Sequence, residues 1–253
     1  MRVPLLTLAA SVRLYPNMIS RQPLLWLLLS ASAAAQVCDP AKFAGTYALQ
    51  LSGTTTISGV EKPATSLARV VFDGQGKLSG ISSTMFSGFL LANPVTGSYE
   101  AGADCSLTWK LQDDSGAYQN FAGTIAPDLV RGQFRQTDPG APERGVMVKS
   151  GGKCTAQDLR ARYTYSVSGS TTPMQEGDRR QTVSARGTVD VARNGSFQVD
   201  SDCTVQFNLI VLDAAEREQW LDMRGLLVNG GQEILAIETD PGAMVTGRLS
   251  VAQ

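Results

Sequence analysis

Asp104-Cys105-Ser106-Leu107-Thr108-Trp109-Lys110-Leu111 is written a second time in this chain, as Asp202-Cys203-Thr204-Val205-Gln206-Phe207-Asn208-Leu209. In both stretches every second residue after the cysteine is apolar and the residues between are polar. That period of two belongs to a strand with one face in a core and one in water. A Gly-Ser-aromatic triplet stands at the same distance upstream of each, Gly97-Ser98-Tyr99 and Gly195-Ser196-Phe197. The doubled stretch predicts an all-β chain built from two like modules.

Working outward, Cys38 and Cys154 each open a copy and are each followed by a tyrosine, Tyr47 and Tyr163, and by a Ser-Gly pair, Ser52-Gly53 and Ser168-Gly169. Between tyrosine and glycine the alternation again predicts a half-buried strand. Residues 54–65 and 170–180 show no period and read as loops. Val70-Val71-Phe72 and Lys77-Leu78 flank Asp73-Gly74-Gln75-Gly76, a hairpin signal because glycine accepts the positive φ such turns need. Residues 85–91 are apolar and read as a further strand or a plug. The second copy is shorter between its Ser-Gly pair and its Gly-Ser-aromatic triplet, which predicts a lost hairpin or much shorter strands. Both copies then reach one pentapeptide, Thr137-Asp138-Pro139-Gly140-Ala141 and Thr239-Asp240-Pro241-Gly242-Ala243.

The expected organisation is a leader at 1–35, a β-barrel repeat at 36–149, a linker at 150–153 and a shorter repeat at 154–253. The fold class is two tandem antiparallel up-and-down β-barrel-like modules, with one fused sheet or a β-sandwich made from both repeats as the alternative. The leader has three arginines, no acid, the run Leu24-Leu25-Trp26-Leu27-Leu28-Leu29 and a small-residue tail ending at Ala35, which reads as a secretory signal. Its start is Met1 or Met18. Removing it leaves 19 basic residues against 23 acidic ones, a net charge of −4. A mildly acidic chain without a Lys/Arg block argues against nucleic acid as a partner. No later apolar run is long enough for a transmembrane anchor, so the expected location is secreted or periplasmic. The sequence sets no oligomeric state.

Four cysteines in an exported chain read as disulfides. If each copy folds on its own, Cys38 pairs with Cys105 and Cys154 with Cys203. The chain has no histidine at any position, which removes Ser-His-Asp and Cys-His catalysis and His-ligated metal. No cofactor motif is present. Asp-Pro-Gly at Asp138, Pro139 and Gly140, and again at Asp240, Pro241 and Gly242, reads as turn chemistry rather than as a paired catalytic site. Alternation also puts Arg131, Gln133 and Arg135 on one face of a strand. Inside a barrel, Arg131 and Arg135 would hold an anionic or carbonyl group; outside it they are solvated.

Gly45-Thr46-Tyr47, Val71-Phe72-Asp73-Gly74-Gln75-Gly76 and Gly97-Ser98-Tyr99 followed by Asp104-Cys105-Ser106 resemble the allene oxide cyclase-like and dirigent-like secreted β-barrel proteins. The second copy keeps only the tyrosine of the first motif, with Ala161-Arg162-Tyr163, and lacks the Asp-Gly-x-Gly turn. The resemblance implies a barrel with an apolar lumen that cyclises or couples small hydrophobic molecules in some relatives, and no catalytic residue carries over. The expectation is therefore a non-catalytic exported protein that binds a small hydrophobic molecule or a surface partner. A cyclase- or isomerase-like enzyme is the first alternative, and a structural or adhesive envelope module the second. The lumen discriminates: a convergent acid or Arg/Tyr cluster favours an enzyme, an apolar cavity a binder, and a lumen filled by Leu107, Trp109 and Leu111 a structural part.

Overall fold

The computed structural model describes residues 37–57, 60–86, 88–140, 144–171, 180–191, 197–212 and 218–252. The expected leader at 1–35 lies outside them, as do Ala141, Gly195 and Ser196. Among the described residues there is no α-helix, only strands and three short 3-10 turns.

Eight strands form the first module: β1 (Gly45–Ile57), β2 (Val60–Phe72), β3 (Lys77–Phe86), β4 (Phe89–Ala101), β5 (Ser106–Asp113), β6 (Tyr118–Ile125), β7 (Arg131–Gln136) and β8 (Arg144–Lys149). Each pairs antiparallel with the next, and β1 pairs back onto β8 from Tyr47↔Lys149 to Ser52↔Arg144, so the barrel is closed and has no edge. Residues 54–57 and 60–65, read from the sequence as loop, are ladder, with Thr54 opposite Pro63 and Ser52 opposite Thr65. The alternation that marks a half-buried strand is missing there, although the backbone bonds are made. The apolar residues 85–91 are neither a plug nor a separate strand but the tip of the β3–β4 hairpin, with Phe86 opposite Phe89.

The second module has β9 (Arg162–Thr171), β10 (Thr182–Asp190), β11 (Phe197–Val199), β12 (Thr204–Leu212), β13 (Glu218–Val228), β14 (Glu233–Glu238) and β15 (Ala243–Val251). Their order is β10-β9-β15-β14-β13-β12-β11, a curled sheet that does not close. Among the described residues the strand order matches that of the barrel with no counterpart of β3, and β10 and β11 stand at opposite ends of the sheet.

One end of each module is closed in the same way. Cys38 is bonded to Cys105 and Cys154 to Cys203. Cys105 and Cys203 take positive φ, 66° and 70°. Their carbonyls accept the amides of Ile125 and Leu227, and Asp104 and Asp202 accept the amides of Ser106 and Thr204. The buried Tyr47 hydroxyl donates to the Leu129 carbonyl at 2.7 Å, and that of Tyr163 to the Gly231 carbonyl at 2.8 Å. Burial, then the charge of Asp128, pushes the Tyr47 phenol up to about 12, so it stays a donor. Above the barrel's disulfide, Phe43, Tyr47, Phe72 and Tyr99 meet ring to ring at 4.8–5.5 Å, and Trp109, Phe121 and Phe134 form the next layer at 4.8–5.8 Å. Gly145 makes room for that layer: a Cβ there would fall 2.5 Å from the Phe134 ring and from the Gln50 carbonyl.

The two modules pack outer face to outer face. Ala48, Leu67 and Val148 of the barrel meet Leu226, Val228, Leu235 and Ile237 of the second sheet. Gln50 crosses the boundary and donates its amide to the carbonyls of Ala236 (2.7 Å) and Gly247 (2.9 Å). All six residues of β14 are buried, because Ile234 and Ala236 face their own module's core while Leu235 and Ile237 face the barrel. The boundary is side-chain packing. The two sheets share one isolated bridge, Ser150↔Val228, and are not fused.

Candidate functional site

The aromatic layers fill the barrel only from the disulfide end to about its middle. The strand ends on the other side splay into an open cup of about 540 Å³, within the usual range for a small-molecule site. Alternation decides what lines it. On β2 the inward positions that are valine and phenylalanine deeper in the barrel become Ser66 and Ala64 near the rim. On β3 they become Ser82, Thr84 and Phe86. Leu91, Asn93 and Val95 of β4 and Leu111 of β5 complete the wall, and Tyr118 and Pro139 stand at the mouth. The Thr84 hydroxyl lies 2.9 Å from that of Ser66 and 3.3 Å from that of Ser82, forming a small hydroxyl shelf opposite the aliphatic wall.

Among the described residues two acids reach the cup, and both accept hydrogen bonds from their neighbours. Asp113 accepts the Ser115 amide (2.9 Å), the Ser115 hydroxyl (2.7 Å) and the Ala117 amide (3.0 Å). Asp138 accepts the Asn120 amide and side chain, both at 2.7 Å, and the Gln136 side chain at 2.9 Å. Burial opposes its charge, but those donors outweigh burial and hold its carboxyl below the usual range. With both oxygens engaged and its charge favoured, Asp138 is a poor general acid or base. Among the described lining residues there is no lysine, arginine or histidine, and the described residues hold no Asp/Glu/Cys cluster arranged to bind a metal.

The Asp-Pro-Gly segments sit at turns in both modules. Gly140 and Gly242 take φ of 73° and 83°, and Asp240 accepts the Asp222 amide at 3.4 Å as Asp138 accepts that of Asn120. Arg131 and Arg135 do not enter the lumen. Gly132, Phe134 and Gln136 take the inward positions of β7, so the arginines point outward. Arg131 forms an ion pair with Glu233 of the second module, and Arg135 is exposed. Sequence reasoning missed Ser66, Ser82, Thr84 and Asn93. Their signal was a gap in the pattern, small polar residues at positions where alternation calls for apolar ones. The chain matches no protein-family model and no curated protein.

Proposed function

We propose that the chain is an exported protein whose closed barrel holds a small, uncharged, largely apolar molecule in its open cup and carries out no reaction on it. One observation carries this reading: the cup pairs an aliphatic wall with a short hydroxyl shelf, and its two described carboxylates each accept hydrogen bonds from neighbouring residues. An apolar body with one or two hydroxyl or carbonyl groups matches that lining. A charged ligand would lose its hydration without gaining a partner. Export agrees with the paired cysteines and with the leader-like residues 1–35. We read the two modules as a doubled unit whose second half has lost the strand corresponding to β3, and with it the closed lumen. The resemblance to allene oxide cyclase-like and dirigent-like barrels supports lumen binding. The enzymatic alternative has no cationic group among the described residues that line the cup.

The test is a titration with the neutral apolar fluorophore N-phenyl-1-naphthylamine, alongside native mass spectrometry of protein purified from its source. One probe per chain is expected, with loss of binding in Ser82→Trp, whose indole would fill the cup, and weakened binding in Thr84→Ala. Unchanged probe binding in a folded Ser82→Trp variant would remove the cup from consideration.

A further inference from the structure

The face of β9, β10 and β15 that looks away from the second module's core carries rows of polar side chains. Alternation places Ser166 of β9, Arg186 of β10 and Arg248 of β15 on it, and the ladders align all three in one transverse row: Arg186 opposite Ser166, and Ser166 opposite Arg248. The next row is Thr188, Thr164 and Ser250. With strands about 4.8 Å apart, the two arginine stems rise roughly 10 Å from each other on either side of the serine. Both arginines line one shallow depression of about 450 Å³, floored by Thr164, Ser166 and Ser250. The Thr164 hydroxyl donates to the Ser250 carbonyl at 3.1 Å and keeps its oxygen lone pairs for a ligand.

The charges here do not cancel. The buried carboxylate of Glu233 takes Arg248 on one oxygen and Arg131 on the other, a single negative group for two guanidinium ions. Among the described residues the other acid on this face, Asp190, is forked by Arg162 at 2.6 and 3.0 Å. Arg186 has no carboxylate within ion-pair distance among the described residues. With Arg248 shared with Glu233 and Arg186 set against no acid, the described residues of the row carry a surplus of one positive charge, on a chain whose net charge is −1.

We propose that this depression binds an acidic saccharide, with a uronate carboxylate held between Arg186 and Arg248 and the ring hydroxyls meeting the threonine and serine rows. Guanidinium groups take a carboxylate in a two-pronged, directional way. Short hydroxyl side chains donate and accept at close spacing, as a sugar ring does. An open, shallow floor admits a ring within a longer chain, which the barrel cup does not. The site is separate from the cup and does not rest on the function proposed for it.

The experiment titrates the full chain with an oligogalacturonate, a neutral oligosaccharide of the same length and inorganic sulfate, followed by calorimetry. Saturable, salt-sensitive binding of the oligogalacturonate alone is expected. Arg186→Ala should weaken it by at least about tenfold, the loss of one charge-assisted partner. Arg135→Ala, which removes an exposed arginine from the barrel, should leave it unchanged. Arg186 is exposed and has no ion pair among the described residues, so its removal should not move the unfolding midpoint. Equal binding of the neutral oligosaccharide, or full affinity in Arg186→Ala, would overturn the proposal. Sulfate binding as tightly as the oligomer would overturn the saccharide assignment.

Discussion

Glu238 stands beside the charge of Asp240, in the place where the first module uses the Gln136 amide to donate to Asp138. Asn120, which also donates to Asp138, is likewise replaced by an acid, Asp222. Three carboxyl groups thus stand where the barrel has two amides and one carboxylate. Glu238 faces its module's inner side from a buried position. Burial above all, then Asp240 and Asp222, pushes its carboxyl up to about 8.

This pair sets the first expectation. Between the ordinary glutamate value of 4.5 and about 8 the folded chain holds a proton that the unfolded chain releases. Stability is therefore full below about 4.5 and falls as pH rises towards 8, by at most about 1.4 kcal/mol per pH unit. Glu238→Gln restores the barrel's arrangement and should flatten that fall, with the largest gain at pH 8. Urea unfolding midpoints from pH 5 to 9 measure it, and parallel curves for the two proteins would refute the assignment.

The disulfides give the second. They span 67 and 49 residues, and closing loops of that length restricts the unfolded chain by about 4 kcal/mol each. Replacing Cys38 and Cys105 together by serine should lower stability by roughly that amount, and the Cys154 and Cys203 double variant by nearly as much. Guanidinium denaturation without reductant reads both.

Arg131 and Arg135 differ in what their loss should do. Arg131→Ala leaves the buried Glu233 with Arg248 alone and should cost about 2–3 kcal/mol. Arg135→Ala, on the open outer face, should fall within about 0.5 kcal/mol of the parent. Neither should change probe binding in the cup. Thermal unfolding with the naphthylamine titration covers both points.

Gly145→Val drives a side chain into the Phe134 ring and the Gln50 carbonyl, with overpacking expected to cost at least about 1–3 kcal/mol. Pairing it with Phe134→Ala should recover part of the loss. A double variant no better than the sum of the two single changes would refute the contact.

Much of this was legible in the chain, and the parts that were not have physical reasons. Leu107, Trp109 and Leu111 announce a strand because one face is dry and the other wet. Asp73-Gly74-Gln75-Gly76 announces a hairpin because its glycines take φ of 82° and 89°. Arg131 and Arg135 were ambiguous because period two separates two faces without saying which is inside; Phe134 between them was the stronger clue. The cup was hidden because Ser82 and Thr84 lack the apolar signal by which lumen positions are recognised. Leu235 and Ile237 showed no alternation with Ile234 and Ala236 because both faces of β14 are covered, and the acid that meets Arg131 lies 102 residues further along the chain.

A strand with no wet side has a consequence for anyone dividing this chain. Cutting at Ser150–Lys153 would bare Leu226, Val228, Leu235 and Ile237 to solvent and strip Gln50 of both its acceptors. The halves look like beads on a string when read as text, yet each covers apolar surface of the other. They should melt as one body, and a severed C-terminal half should be sticky.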